Sequence, residues 1–258
     1  AFNFAKKEKL ELLSLEGSGD NGRITLADVR AAVSEKPHDF SSMRKVIARR
    51  MLESKTTIPH FYVTVSVDMS AVSQKRKLFK EEGINISVNT FVIRALALTL
   101  KEFPVMNAWT DGNKYAFKSK INIGVAVSLE NGLVVPVVKN ADKKALDELQ
   151  AEITEIADKA KNNKLSPDEI KGGTFTVSNM GMLNVENFAA IINPGESAIL
   201  AVSSIIKTPV VKNDQIVIAE IMKMTVSADH RIVDGAESAK FANALKQKIE
   251  DQNFWNRE

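Results

Sequence analysis

The chain has no cysteine. That absence excludes disulfides, thiolate metal sites and a protein thiol as nucleophile, and it fits a reducing compartment. Any sulfur chemistry must use a thiol that a substrate brings. Charge of one sign is also missing. The 35 Lys and Arg against 32 Asp and Glu leave a net +3, which argues for no nucleic acid and no membrane as partners. No apolar run approaches the ~18 residues of a membrane span, and no apolar signal segment opens the chain. With 258 residues, 44% hydrophobic and 26% charged, the chain reads as soluble and globular, with one large or two unequal domains.

Histidine is scarce, with three in all, and one of them is singled out by its setting. Ile221 to Ser227 alternates apolar and polar residues and predicts a strand that closes at Ala228. Ala236 to Leu245 has helix formers with apolar residues three and four apart. Between them Asp229-His230-Arg231-Ile232-Val233-Asp234-Gly235 forms a short strand-to-helix loop. It places one imidazole between two carboxylates, and imidazole is the side chain best suited to move a proton near neutral pH.

This loop resembles the His-x-x-x-Asp-Gly signature of the dihydrolipoamide acyltransferases, the core subunits of 2-oxo acid dehydrogenase complexes, a signature and fold shared with chloramphenicol acetyltransferase. Matching blocks run in order along nearly the whole chain. Gly17-Ser18-Gly19-Asp20-Asn21-Gly22-Arg23-Ile24, followed by Thr25 as a helix N-cap with Asp28 three residues on, is similar to the family's peripheral subunit-binding domain. The same glycines fit a dinucleotide fingerprint in spacing, but no strand of a βαβ unit precedes them. Residues 1–34 are therefore read as that small domain, 35–41, with Pro37 and His38, as a linker, and 42–258 as the catalytic domain. In the family the small domain docks dihydrolipoamide dehydrogenase or the decarboxylase subunit, and Arg23 and Arg30 would offer the cationic surface. A helix over 42–52 resembles the family's first catalytic-domain helix, which places Arg44 or Arg50 as the expected partner of Asp234.

Alternation predicts a strand over Pro59–Asp68, in which His60 belongs to a Pro-His-Phe match and reads as structural. Helices are expected over 70–82, over 87–100 ending near Pro104, and over 146–162. Asp158-Lys159-Ala160 spells a lipoylation tripeptide but lies in the last of these helices, and no lipoyl domain is recognised. Strands over 121–127 and 132–138, joined by a turn at Glu130-Asn131-Gly132, resemble the block that lines the coenzyme A channel, so Gly132, Leu133 and Val134 are the expected channel residues. Asn131 stands where the family often has aspartate. Gly173 to Ser178 predicts a strand that breaks at Asn179, and Ser178 matches the family serine whose hydroxyl stabilises the tetrahedral intermediate. A further strand is expected over 190–202.

The resemblance implies an α/β fold with a mixed sheet and flanking helices, preceded by a very small helical domain, and assembly as a trimer with each site between subunits. It implies acetyl transfer between the dihydrolipoamide thiol of a lipoyl domain and coenzyme A in the pyruvate dehydrogenase complex, with His230 as base, Ser178 as oxyanion donor, Asp234 fixing the loop, and no metal. Branched-chain or 2-oxoglutarate complexes, and a non-catalytic scaffold subunit, are the alternatives. Two departures stand out: Leu183 and Asn184 replace the usual Phe-Gly, and the last residues are charged where many members carry an apolar tail that joins trimers into shells. The expected location is the bacterial cytoplasm, or the mitochondrial matrix in a eukaryote.

Overall fold

In the computed structural model, which describes residues 1–37, 39–129 and 132–258, the chain divides into two compact units, Ala1–Lys45 and Val46–Glu258. His38, Glu130 and Asn131, named above, lie outside the described residues.

The N-terminal unit contains helices α1 (Phe2–Lys7) and α2 (Leu26–Glu35), with Ala5 and Val29 fully buried. Asp28 organises the loop between them. Its carboxylate accepts from the Thr25 amide at 2.8 Å and from the Ser18 hydroxyl at 2.6 Å, while Thr25 Oγ1 accepts the Asp28 amide, closing a capping box. These bonds, Ser18's first, hold the carboxyl well below the usual carboxylate range. A side chain at Gly17 would meet the Gly22 carbonyl at 2.2 Å, so glycine is required by close approach of the backbone. Arg23 and Arg30 are exposed.

Helix α3 (Ser42–Thr57) spans the division between the units. Beyond it, strand alternation and helical periodicity build a mixed sheet with helices. The elements are β1 (His60–Asp68), α4 (Ser70–Glu81), α5 (Val88–Glu102), β2 (Ala108–Thr110), β3 (Tyr115–Phe117), β4 (Ile123–Val125), β5 (Val127–Leu129), β6 (Gly132–Val134), β7 (Val137–Val138), α6 (Leu146–Lys161), β8 (Phe175–Asn179), β9 (Ala198–Lys212), β10 (Gln215–Asp229), α7 (Gly235–Glu250) and α8 (Gln252–Arg257). The six-stranded sheet has the order β1-β10-β9-β8-β4-β7. Only β9/β8 and β8/β4 are parallel pairs. Two small hairpins, β2–β3 and β5–β6, stand beside it.

Because side chains alternate along a strand, the sheet has two unlike faces. Met224, Val226, Leu200, Val202, Phe175 and Val177 share the apolar face and form one core with Phe91, Leu96, Leu149, Phe241 and Leu245 of the helices. The other face carries Thr64, Thr225, Ala201 and Ser178, in register with one another, and Thr176 two residues before Ser178. The stretch 185–197 crosses this face, with Asn187 Oδ1 accepting from Thr225 Oγ1 at 2.8 Å and the Ile192 amide donating to His60 Nε2 at 3.1 Å.

Several expectations need correction. Residues 190–197 are not strand, because Pro194 and Gly195, at φ +90°, turn the chain so that β9 begins only at Ala198. The strand read over 221–227 starts six residues earlier, at Gln215, after a two-residue turn at Asn213 and Asp214, both left-handed. The resulting ribbon projects past the rest of the sheet, leaving Val211, Ile216 and Ile218 between 71% and 80% exposed. Strands 121–127 and 132–138 each divide, at Ala126 and at Val135-Pro136, where β5–β6 leaves the sheet. At the charged C-terminus, α8 folds back. Trp255 is fully buried, its ring 4.9 Å from Phe91, and its Nε1 donates to the Ile249 carbonyl. No helix among the described residues is long and apolar enough to cross a membrane.

Trp255→Ala is expected to cost about 3–5 kcal/mol in urea unfolding followed by near-ultraviolet circular dichroism, since it removes a fully buried ring. Replacing the neighbouring exposed Arg257 by alanine serves as the control, with little change.

Candidate active site

Asp229 ends β10, and the chain then makes a tight turn in which every backbone amide from Asp229 to Val233 is committed. The Asp229 amide donates to the Ser197 carbonyl at 2.8 Å, and the His230 amide to the Pro59 carbonyl at 2.9 Å. The amides of Ile232 and Val233 both donate to the Asp229 carbonyl, at 3.0 and 2.9 Å. The His230 side chain is exposed and has no hydrogen-bond partner among the described residues. Its ring stands edge-on to Phe61, with centroids 5.1 Å apart. Phe61 also explains Gly235, where an added Cβ would come within 3.1 Å of the same ring. A free imidazole on a fixed backbone, lodged against an apolar ring, is a proton acceptor with a defined direction.

Asp234 takes a different position from the one expected. It is the N-cap of α7, with its side chain accepting from the Glu237 amide at 2.8 Å. No ion pair joins it to Arg50 among the described residues; the Arg50 charge instead acts on Glu196. Arg44 belongs to the N-terminal unit.

Ser178 is half-buried near the end of β8, and its hydroxyl has no hydrogen-bond partner among the described residues. The next residue, Asn179, donates to Asn89 Oδ1 at 3.0 Å and accepts from the Gly181 amide at 2.7 Å, which turns the chain away after the strand. The expected channel residues Gly132, Leu133 and Val134 form β6, paired with β5. This hairpin leaves the sheet at the same end as Ser178, because β4 runs parallel to β8 with Val125 opposite Val177.

His230 is not at that end. Ser178 lies level with Ala201 and, one strand further, with Thr225. His230 is five residues beyond Thr225 in a strand of opposite direction to β8. Two strand spacings across and five residues along separate the two by about 19 Å. One chain therefore cannot bring both groups to a single reacting carbon.

Sequence reasoning missed two charged groups. Arg231 grips the buried Asp229 with its guanidinium, a pair two residues apart that no periodicity reveals. Glu196 is buried on the polar face, accepting from Thr176 Oγ1 at 2.7 Å, and burial pushes its carboxyl up to about 7 despite that bond and the charges of Lys118 and Arg50. Lys118, which donates to the Gly195 carbonyl at 2.6 Å, is lowered by burial and partly restored by Glu196. His60 is lowered chiefly by burial.

Residues 33–256 match the family model for the 2-oxoacid dehydrogenases acyltransferase catalytic domain. The dihydrolipoyllysine-residue acetyltransferase component of the pyruvate dehydrogenase complex of Rickettsia felis is 44% identical over 97% of this chain, and the match spans 65% of that relative's length. The chain thus covers a little under two thirds of this relative. Among solved structures, dihydrolipoamide acetyltransferase from Azotobacter vinelandii, in work on the role of a serine, a histidine and an asparagine in its catalytic mechanism, superposes with a TM-score of 0.81 at 30% identity, covering 86% of this chain and 93% of that one. A chloramphenicol acetyltransferase, 14% identical with a TM-score of 0.51 over 79% of this chain and 94% of that one, shares the fold alone.

Glu196 generates a pH test. Between the ordinary carboxylate value and about 7 the folded chain holds a proton that the unfolded chain releases, so stability falls as pH rises through that window. Glu196→Gln should flatten this dependence, by up to about 3 kcal/mol between pH values near 5 and 7.5. The check is a comparison of urea midpoints for the two proteins at both pH values.

Proposed function

The chain belongs to the 2-oxoacid dehydrogenase acyltransferase family, and from that premise we propose that it transfers an acetyl group between dihydrolipoamide and coenzyme A. The observation that carries the reading is the exposed imidazole of His230 on a turn whose backbone amides are all committed. A thiol with a pKa of about 8.5 is mostly protonated near neutrality and needs a base. His230 Nε2 or Nδ1 accepts the proton of the attacking thiol, and the sulfur adds to the thioester carbonyl. The unpaired Ser178 hydroxyl donates to the oxygen that becomes negative, an interaction worth about 3 kcal/mol. Collapse expels the other sulfur, to which His230 returns the proton. No acyl-enzyme forms, in keeping with a chain that has no cysteine.

The separation of Ser178 and His230 supports a site shared between copies, one supplying the serine and its neighbour the histidine, as in a cyclic trimer. Asp234 acts through structure, starting α7 immediately after the loop. The β6 residues Gly132, Leu133 and Val134 are on the serine side and would line the coenzyme A channel. Residues 1–34, with exposed Arg23 and Arg30, would dock dihydrolipoamide dehydrogenase or the pyruvate decarboxylase subunit, in the bacterial cytoplasm or the mitochondrial matrix. The acetyl group is favoured by the relative's name, and the scaffold alternative is disfavoured because both His230 and Ser178 are present.

His230→Ala is expected to slow acetyl transfer from acetyl-CoA to free dihydrolipoamide about a thousandfold, and a normal rate would reject the base. Mixed assemblies test the shared site. Ser178→Ala and His230→Ala copies, each inactive alone, should regain about a quarter of wild-type activity when unfolded together in equal amounts and refolded. Mixtures no more active than their parents would place both residues in one subunit's site.

A further inference from the structure

Ser178 sits where β8 loses half of its support. The pairing of β4 with β8 ends at Val125 opposite Val177, and the Ala126 amide makes a last bond to the Val177 carbonyl at 2.9 Å. Beyond that point Ser178 and Asn179 pair only with Ala201 and Val202 of β9 among the described residues. A strand end held along one edge opens more readily than one held along both. The Ser178 hydroxyl, with no hydrogen-bond partner among the described residues, takes its direction from the backbone beneath it. An oxyanion donor is worth most when it is already aimed, within about 0.5 Å of the place it must occupy.

Asn179 holds this strand end from the opposite face. Side chains alternate along β8, so Ser178 lies on the polar face and Asn179 on the face that the helices cover. There Asn179 Nδ2 donates to Asn89 Oδ1 at 3.0 Å, and Asn179 Oδ1 accepts the Gly181 amide at 2.7 Å. Asn89 is itself firmly carried. It belongs to the first turn of α5, which Ser87 caps, and the Ser87 amide and the Thr90 hydroxyl both donate to Gln150 Oε1 of α6. Gly181 fits the turn closely, since an added Cβ would stand 3.0 Å from Asn179 Oδ1 and 3.2 Å from the Ser203 carbonyl. Resting on the reading of Ser178 as the oxyanion donor, we propose that Asn179, held by Asn89, is a positioning residue whose amide bridge replaces the missing strand neighbour and fixes the direction of the Ser178 hydroxyl. Asn179 is exposed and Asn89 half-buried, so a neutral bond between them adds little to the stability of the fold and serves the aim of its neighbour.

The test is the kinetics of acetyl transfer to free dihydrolipoamide by the assembled full chain. Asn179→Ala should lower kcat about tenfold, with KM for either thiol and the urea midpoint little changed. Asn89→Ala, which leaves the Gly181 turn intact, should give the same split and carries the test if Asn179→Ala does not fold. Acids in place of the amides separate the bridge from mere bulk. Asn179→Asp still accepts the Gly181 amide and receives a donor from Asn89 once that amide turns over, and Asn89→Asp still accepts from Asn179. Each should keep kcat within about twofold, whereas the two acids together repel and lose as much as Asn179→Ala. On the slow residual turnover of Ser178→Ala, adding Asn179→Ala should cost nothing further, because the group it aims is gone. A full kcat in the folded alanine variants, or the same tenfold loss in the absence of Ser178, overturns the proposal. A normal rate in Ser178→Ala would instead reject the oxyanion reading on which it rests.

Discussion

Strand direction decides where the chemistry can happen. β9 runs parallel to β8 but antiparallel to β10, so the carboxyl ends of β8 and β10 point to opposite edges of one sheet. Ser178 lies one residue before the end of the first and His230 follows the second. Parallel pairing at one step and antiparallel pairing at the next is thus what sets Ser178 and His230 at opposite ends of one sheet, and under the proposed reaction a single copy would be half of two sites.

The polar face of the sheet is the second half of this design. Its helix-covered face is an ordinary apolar core, but the other is crossed by an irregular stretch whose backbone needs partners. Ser54 and His60 supply them at Ile192, donating to its carbonyl and accepting from its amide, while Thr225 and Thr176 bond the side chains of Asn187 and Glu196. His60 is accordingly a structural acceptor, as its Pro-His-Phe setting suggested. The same stretch ends at Ser197, whose carbonyl receives the Asp229 amide, so the backing of the sheet and the anchoring of the histidine turn are continuous.

The legible parts of the fold were those where one local rule acted alone. Thr25 with Asp28 announced a capped helix, the apolar residues of α5 set its extent, and the loop around His230 lay between two clear periodicities. Residues 190–197 misled because Ala190, Ile191 and Ile192 look like strand core, whereas Ile192 is buried against Ile58 and Ile199 on the polar side. The first half of β10 was overlooked because its alternation, Ile216 and Ile218, faces solvent and not the core. Asp229–Arg231 and the burial of Glu196 arise from tertiary packing of charges, for which spacing in sequence carries no signature.

The ribbon formed by the distal parts of β9 and β10 has open hydrogen-bonding edges as well as bare aliphatic side chains, a combination that invites fibrous association. Pro209 lacks an amide to offer an incoming strand, and Lys207 and Lys212 set like charges along the border, with Lys212 held by Asp68. On the β9 side an arriving chain is therefore hindered from extending the ladder and meets the ribbon by its side chains. The greasy surface stays available for ordered contact while runaway stacking is discouraged.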